Sequence, residues 1–454
     1  MKNILLVSPS RNYPMGNEMY PSGALLLLGT MLRKQGHNVK VVHMVADKVD
    51  RLGFYGILRD VRPDIVGFTV STYQTRMTGL LSMDVKRYNT DIITVAGGSH
   101  PSALGLDFLL SFPGIDVSVY GEGEGALTDI ARGVPFRNLK GVHYRHRRGG
   151  TLGTNAPPPL LTGEALDALP LPDKTLIDFK QYSGLFPVGK RPCMFVMSSR
   201  GCPYQCSFCS KSVYGNTLRL RSPEGIMEEV ELLYRDWGVR EIHFGDDTFN
   251  ANREWANELL DLVIKRGFRK KLVFRVALRV NEKILDMDLL RHLKAAGVWF
   301  IYYGVENGDQ DMLDRMHKGI TVAEVERAFR LTHSIGLKTE AFFIIGLPGE
   351  TRETIQASRD LYKRLRPFWG GFSRALPFPG TAFTAEAERD GNLLSKDYDT
   401  FGPGTMAVRT DALTAAELDW EVVSANRMAD FDKMKHPKQM AFAIKDKTYR
   451  RLGR

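Results

Sequence analysis

The chain has 454 residues, 43% of them hydrophobic, which is enough to bury a large core in two or three domains. Its apolar runs, such as 24–28, are far short of a membrane span, and Met1-Lys2-Asn3 leads into a strand pattern rather than a signal peptide. A cytoplasmic protein, monomeric and without a membrane span, is expected. The net charge of +10 suggests nucleic acid, but eight Lys or Arg against two Asp over 431–454 put six of those charges in a basic tail. With no RNA-binding module and no interleaved aromatics, no nucleic-acid partner is expected.

The first 130 residues alternate strand and helix patterns. Strands are predicted at 3–8, 39–43, 65–70, 92–96 and 117–120, and helices at 22–34, 49–61, 74–87, 103–111 and 123–131. This α/β order predicts a doubly wound, Rossmann-like parallel sheet, whose ligands bind outside the carboxyl ends of the strands. Those ends carry Pro9-Ser10-Arg11, Ser71-Thr72-Tyr73, Gly97-Gly98-Ser99-His100 and Tyr120-Gly121-Glu122-Gly123-Glu124. The row is rich in small and hydroxyl residues, as a large polar ligand requires. A dinucleotide fingerprint belongs in the first strand-to-helix turn, 9–21, which has no G-x-G-x-x-G. The glycines of 121–125 follow the fifth strand and carry acids where phosphate would sit.

Between 134 and 190 lie a hairpin, tipped by Arg145-His146-Arg147-Arg148 before Gly149-Gly150, and the proline-dense runs Pro157-Pro158-Pro159 and Leu169-Pro170-Leu171-Pro172. Predicted boundaries are 1–140 for the first domain, 141–190 for a linker with hairpin, 191–385 for a second domain and 386–454 for a helical basic C-terminal region.

The second domain has strands predicted at 194–198, 241–244, 272–277, 299–304, 338–345 and 371–376. Helices are predicted at 223–237, 253–265, 283–296, 322–334 and 351–365. Six repeats make a partial (β/α)6 barrel, with its chemistry at the carboxyl ends of the strands. Helices at 415–433 and 438–450 are expected to cap it.

At the end of the first barrel strand stands Cys202-Pro203-Tyr204-Gln205-Cys206-Ser207-Phe208-Cys209, a C-x3-C-x2-C run. Thiolates suit zinc or an iron-sulfur cluster. A cubane usually takes four, so three leave one iron open to a small molecule, whereas a zinc knuckle or a structural cluster is the plainer alternative. Zinc sites generally need a second ligand pair, and none lies nearby. Cys193, on an apolar stretch, reads as a buried inert thiol. On the third barrel strand the period of two puts Arg275, Ala277 and Arg279 on one face. With helices outside, these arginines point inward, toward an anionic ligand or a carboxylate such as Asp246, Asp247 or Glu306.

The spacing of Cys202, Cys206 and Cys209, with Phe208 before the last, resembles the signature of the radical S-adenosylmethionine (SAM) superfamily. Gly245-Asp246-Asp247-Thr248-Phe249, Tyr303-Gly304-Val305-Glu306-Asn307, Ile344-Ile345-Gly346-Leu347-Pro348-Gly349-Glu350 and Leu376-Pro377-Phe378-Pro379-Gly380 follow the second, fourth, fifth and sixth strands and resemble that superfamily's SAM-binding segments. The fifth-strand segment lacks the Lys-Ser/Thr of a phosphate loop. Pro21-Ser22-Gly23-Ala24-Leu25, Gly97-Gly98-Ser99-His100-Pro101 and Gly121-Glu122-Gly123-Glu124 resemble the cobalamin domain that precedes many radical SAM domains, although no D-x-H-x-x-G motif occurs.

The resemblance implies a cobalamin-dependent (class B) radical SAM methyltransferase with three cofactors: a 4Fe-4S cluster on Cys202, Cys206 and Cys209, SAM, and cobalamin without a histidine under cobalt. It implies SAM contacts from Phe208, Asp246, Asp247, Arg279, Glu306, Asn307, Ile345 and Leu347. For cobalamin it implies Tyr13, Ser22, Gly23, Ser71, Thr72, Tyr73, Gly97, Gly98, His100, Gly121, Glu122 and Glu124, and it singles out Tyr13, Tyr20 and Tyr73 for the lower face of cobalt. The catalytic residues proper stay unassigned. An external electron donor of flavodoxin or ferredoxin type is implied as well.

The expected reaction is methylation of an unactivated sp3 carbon, with a short cap leaving the barrel mouth open to a peptide or protein side chain. In size and layout the chain resembles the protein glutamine C-methyltransferase of methyl-coenzyme M reductase. P-methylation or cyclisation of a small molecule or lipid, a non-catalytic cobalamin sensor and an RNA-modifying enzyme are the alternatives. A methylthiotransferase needs a second cysteine triad, which four cysteines cannot supply.

Overall fold

β1 (Asn3–Ser8) buries Ile4, Leu5, Leu6 and Val7 almost completely, as a strand covered on both faces must. In the computed structural model, which describes residues 1–11, 20–146, 150–182 and 189–434, the chain forms two compact units. The first comprises Met1–Ser183 with Ser210–Gly215 and Asp397–Gly402, and the second holds the rest.

In the first unit β1 leads to α1 (Gly23–Lys34), β2 (Asn38–His43), α2 (Arg51–Val61), β3 (Ile65–Thr69), α3 (Thr75–Tyr88) and β4 (Ile93–Gly97). There follow α4 (Ser99–Leu104), α5 (Leu106–Ser111), β5 (Val117–Val119), α6 (Glu124–Arg132), β6 (Val142–Arg145), β7 (Leu152–Thr154) and α7 (Gly163–Asp167). The sheet order is β2-β1-β3-β4-β5-β6-β7. The first five strands are parallel, while β6 and β7 add an antiparallel edge. The hairpin at 134–190 is thus part of the sheet, and α7 lies in the same stretch; residues 147–149 of its tip fall outside the described residues.

The helix predicted over 103–111 is two helices, because Gly105 takes a left-handed backbone (φ 60°) that stops one and starts the other. Ser22 caps α1 by accepting a bond from Leu25 N at 3.3 Å.

The second unit contains β8 (Cys193–Val196), the short ribbon β9 (Ser199–Arg200) and β10 (Arg219–Leu220), α8 (Pro223–Arg235), β11 (Glu241–Phe244) and α9 (Arg253–Lys265). It continues through β12 (Val273–Leu278), α10 (Met287–Ala295), β13 (Val298–Glu306), α11 (Gln310–Arg315), α12 (Val322–Ser334) and β14 (Lys338–Ile345). It ends with α13 (Arg352–Leu365), β15 (Trp369–Arg374), α14 (Ala382–Arg389) and α15 (Ala415–Met434). Six parallel strands run in the order β15-β14-β13-β12-β11-β8, the partial barrel expected from the alternation. α11 and α14 are additions that the apolar pattern did not reveal. The helix expected over 438–450 lies outside the described residues.

Period-two alternation sends Met194, Ile242, Phe274 and Ile301 into the buried helix-covered layer. It sends Glu241, Arg275, Tyr302 and Glu340 inward. α15 covers the edge strand β15: Asn426 Oδ1 accepts from Phe372 N (3.0 Å) and its Nδ2 donates to Phe372 O (2.8 Å). Lys433 Nζ donates to Gly370 O at 3.0 Å. Among the described residues no helix is long and apolar enough to cross a membrane.

Candidate cofactor sites

In the second unit, pairing of Arg200 with Arg219 closes the base of the loop that carries Cys202, Cys206 and Cys209. The loop is pinned on both sides, since Ser207 N donates to Met316 O (3.0 Å) and Phe383 N donates to Ser207 O (2.9 Å). None of the three cysteines is in a disulfide, and Cys209 is exposed. Cys202 Sγ lies 3.9 Å from Thr248 Oγ1, and Arg279 Nη1 donates to Cys206 Sγ at 3.9 Å. Among the described residues no three His, Cys, Asp or Glu side chains are arranged to hold a metal ion. The thiols share one loop but are not drawn into a cage. The donor chemistry nevertheless fits a cluster better than zinc, because the loop supplies three soft ligands and a cation beside one of them.

Two strand ends reach this loop, one through Thr248, beside Asp246 and Asp247, and one through Arg279. Asp246 is 4% exposed and accepts bonds from the Ser198 and Ser199 hydroxyls, the latter at 2.5 Å. Burial raises its carboxyl to about 6, against the pull of the two serines. Its neighbour Asp247 is exposed. Arg279 is 8% exposed, and its guanidinium lies 3.7 Å over the Tyr204 ring.

Glu306 ends β13 at a register shift, with φ at +67°, a conformation that costs a non-glycine residue strain. Its carboxylate meets Lys318 Nζ at 2.6 Å, and that ammonium stands 5.9 Å over the Phe208 ring. A side chain at Gly304 would collide with this pair, 2.4 Å from Glu306 Oε1 and 2.9 Å from Lys318 Nζ. Asn307, fully buried, donates to Glu350 Oε1 at 2.9 Å, and Glu350 Oε2 accepts from Gly346 N, so one carboxyl joins the fourth-strand and fifth-strand loops. Burial lifts Glu350 to about 7.

Leu347 is 2% exposed. Ile345 shares the strand face of Phe343, whose ring lies 6.1 Å from Tyr362 of α13. Ile344, one residue earlier, lies on the inward face with Phe342.

Lys318 and Glu241 escaped the sequence reading. Arg275 pairs with Glu241 deep in the barrel, both side chains 2% exposed or less, and its Nη1 donates to Tyr302 OH at 3.2 Å. Arg275 is thereby committed to a buried ion pair. Only strand register reveals it, since Glu241 and Arg275 are 34 residues apart.

In the first unit the parallel strands bring the carboxyl-end loops to one edge of the sheet. Ser22 N donates to His43 Nε2 (3.3 Å), and Gly23 is exposed at the start of α1. Ser71 and Gln74 form a capping box, and Gln74 Nε2 also reaches Pro9 O (2.8 Å). Thr72 Oγ1 meets His100 Nδ1 at 3.1 Å. The His100 ring is 1% exposed, burial lowers it to about 4, and the Tyr398 ring packs edge-on 4.9 Å away. His100 is therefore a neutral ring held inside the fold.

Gly98 (φ +115°) has no room for a Cβ, which would sit 2.8 Å from Val70 O, and Gly97 stands beside Val119. Gly121 N is bonded to Ser102 Oγ at 3.0 Å. Glu122 accepts from Leu161 N at 2.9 Å, and Glu124 begins α6. Tyr20 and Tyr73 are half-buried, and Tyr13 lies outside the described residues. Ser212 Oγ donates to Ser99 O at 3.1 Å, which lays 210–215 against the Gly97–His100 loop. Next to it, Lys211 Nζ is buried without a hydrogen-bond partner among the described residues, as are His100 Nε2 and Ser118 Oγ. The orphaned ammonium beside this loop fits a ligand rich in amide carbonyls.

Residues 196–362 match the Radical SAM superfamily and residues 14–131 match the B12 binding domain family. The chain is 29% identical over 414 residues to an uncharacterized methyltransferase, PH0819, of Pyrococcus horikoshii, covering 89% of this chain and 87% of that protein. It is 30% identical to the anaerobic magnesium-protoporphyrin IX monomethyl ester cyclase of Cereibacter sphaeroides, over 88% of this chain and 65% of that protein. It is 25% identical to the hopanoid C-3 methylase of Methylococcus capsulatus, over 94% and 79%. The fold matches that of the radical SAM methyltransferase TsrM from Kitasatospora setae, solved with cobalamin and a [4Fe-4S] cluster, at a TM-score of 0.72, 22% identity, and 93% and 85% coverage. With a B12-binding domain ahead of a radical SAM domain, the chain belongs to the cobalamin-dependent radical SAM methyltransferase family and is an enzyme that uses a 4Fe-4S cluster, SAM and cobalamin.

Proposed function

We propose that this enzyme moves a methyl group from SAM, by way of cobalamin, to an unactivated sp3 carbon. The observation that carries the reading is the three-thiol loop of the second unit with Asp246, Arg279 and Glu306 at the strand ends around it. When bound, the cluster supplies the electron that cleaves SAM into methionine and a 5'-deoxyadenosyl radical, and cobalamin carries the methyl group.

Cys202, Cys206 and Cys209 would ligate three irons. Asp246, anionic above about pH 6, receives the SAM ammonium with Asp247 beside it, and Arg279 receives the SAM carboxylate. Glu306 holds the ribose and methionine portions with the buried Asn307 bracing its loop, and Phe208 and Leu347 flank the adenosine, Ile345 lying on the opposite, helix-covered face of its strand. Ser22, Gly23, Ser71, Thr72, Tyr73, Gly97, Gly98, Gly121, Glu122 and Glu124 line the cobalamin edge. His100 supports Thr72 from within, and Lys211 donates to a cobalamin amide carbonyl. A reducing cytoplasm keeps the thiols available, and a flavodoxin or ferredoxin type of donor delivers the electron.

The acceptor divides two readings. The first takes a peptide or protein side chain, such as the glutamine of methyl-coenzyme M reductase. Relatives named for a tetrapyrrole ester and for hopanoids favour a small molecule or lipid, and the cyclase among them favours ring closure. The test is to incubate reduced, reconstituted enzyme and methyl-labelled SAM with a glutamine peptide, a hopanoid or magnesium-protoporphyrin monomethyl ester. Label in the peptide selects the first reading and label in the others the second. A consumed acceptor without label selects cyclisation. If neither 5'-deoxyadenosine nor S-adenosylhomocysteine forms with any acceptor, the enzyme reading fails.

A further inference from the structure

We propose that Arg279 is a fixed cation that raises the reduction potential of the cluster through Cys206, and that Tyr204 is the positioning residue that aims it. The inference rests on the reading that Cys202, Cys206 and Cys209 hold the cluster. Arg279 is held at its backbone, its Nε and one face of its guanidinium. Its backbone exchanges two hydrogen bonds with the buried Asn250 side chain, N to Oδ1 and Nδ2 to O, both 2.9 Å. Its Nε donates to Asn281 Oδ1 at 2.8 Å, and Asn281 is itself anchored to Gly319 O at 2.7 Å. One guanidinium face lies 3.7 Å over the Tyr204 ring, and Nη1 points at Cys206 Sγ.

An arginine side chain is a permanent cation in proteins. Reduction adds one electron, from the external donor, to a cluster whose thiolates are already negative. A neighbouring cation and an N–H to sulfur stabilise the reduced state more than the oxidised one. Tyr204 is two residues before Cys206 on the same loop, so the ring that presses on the guanidinium moves with the sulfur that the guanidinium faces. Nε and one Nη1 hydrogen are used by Asn281 and Cys206. The remaining fork is left for a SAM carboxylate, so the two roles of Arg279 are compatible.

The test is the midpoint potential of the cluster in the reconstituted, cobalamin-loaded full chain, read from the electron paramagnetic resonance of the reduced cluster at poised potentials. Arg279→Gln is expected to move the midpoint to a more negative value at wild-type iron and sulfide content. Arg279→Lys, which keeps the charge but loses the stacked plane, falls between. Tyr204→Phe keeps the wild-type midpoint. Tyr204→Leu moves it in the same direction as Arg279→Gln and adds nothing in the Arg279→Gln background. A wild-type midpoint in Arg279→Gln overturns the inference, and so does a Tyr204→Leu shift that persists in full without Arg279. If Arg279→Gln takes up no iron, Arg279→Lys and Tyr204→Leu decide on the same criteria. A wild-type chain that binds no iron overturns the underlying reading as well, whereas a full cluster with unmoved variants overturns this inference alone.

Discussion

Lys318 sets its ammonium 2.6 Å from the carboxylate of Glu306, with both side chains about nine-tenths buried and the glutamate backbone left-handed. A pair so deeply placed is unequal in its failures, because removing one partner strands the other charge in a poorly solvated site. Lys318→Met is expected to cost about 3–5 kcal/mol of stability, and Lys318→Met with Glu306→Gln considerably less than twice that. Urea denaturation of wild type, Lys318→Met, Glu306→Gln and the double variant measures the coupling.

Three cysteines should behave alike and the fourth differently. Cys202→Ala, Cys206→Ala and Cys209→Ala are each expected to abolish iron uptake and 5'-deoxyadenosine formation while leaving the far-ultraviolet circular dichroism unchanged. Cys193→Ala, on β8 with its chain in the sheet, should keep full iron content. Iron and sulfide analysis after anaerobic reconstitution checks all four.

Glu340 makes stability depend on pH. Burial raises its carboxyl from 4.5 to about 8, against the nearby Arg275 and Lys433. The folded state thus holds a proton that the unfolded state releases between those values, so the charged carboxyl lowers stability as pH rises from 4.5 through 8. Glu340→Gln should be more stable than wild type by roughly 1–3 kcal/mol above pH 8 and equal to it below pH 4.5. Urea midpoints across that range test the sign.

Lys211 offers a direct probe of the first unit. Its buried ammonium lacks a partner among the described residues. Lys211→Met should fold as well as wild type or better, yet lose cobalamin at least tenfold faster on gel filtration, read from the corrin absorbance.

The alternation of apolar strands and helices revealed both sheets, because each strand is short, apolar and bounded by turn residues. Glu241–Phe244, Lys338–Ile345, Arg253–Lys265 and Val322–Ser334 run as predicted. What escaped depends on distance in the chain. The period of two turns Arg275 inward, but its partner Glu241 follows only once β11 lies beside β12 in register. Lys318 sits in a turn with no periodicity to mark it, and it acquires meaning from Glu306. A strand end is equally unforgiving: a shift of one residue exchanges Ile344 for Ile345 and sends the side chain to the opposite face.

Asn426 stands in for a missing strand. A barrel that stops at six strands leaves β15 with open hydrogen-bonding groups, which invite pairing with another molecule. The carboxamide of Asn426 answers the amide and carbonyl of Phe372 as a neighbouring backbone would. α15 is therefore a guard against aggregation: a chain cut before Ala415 would keep every cofactor residue named above yet expose an adhesive edge.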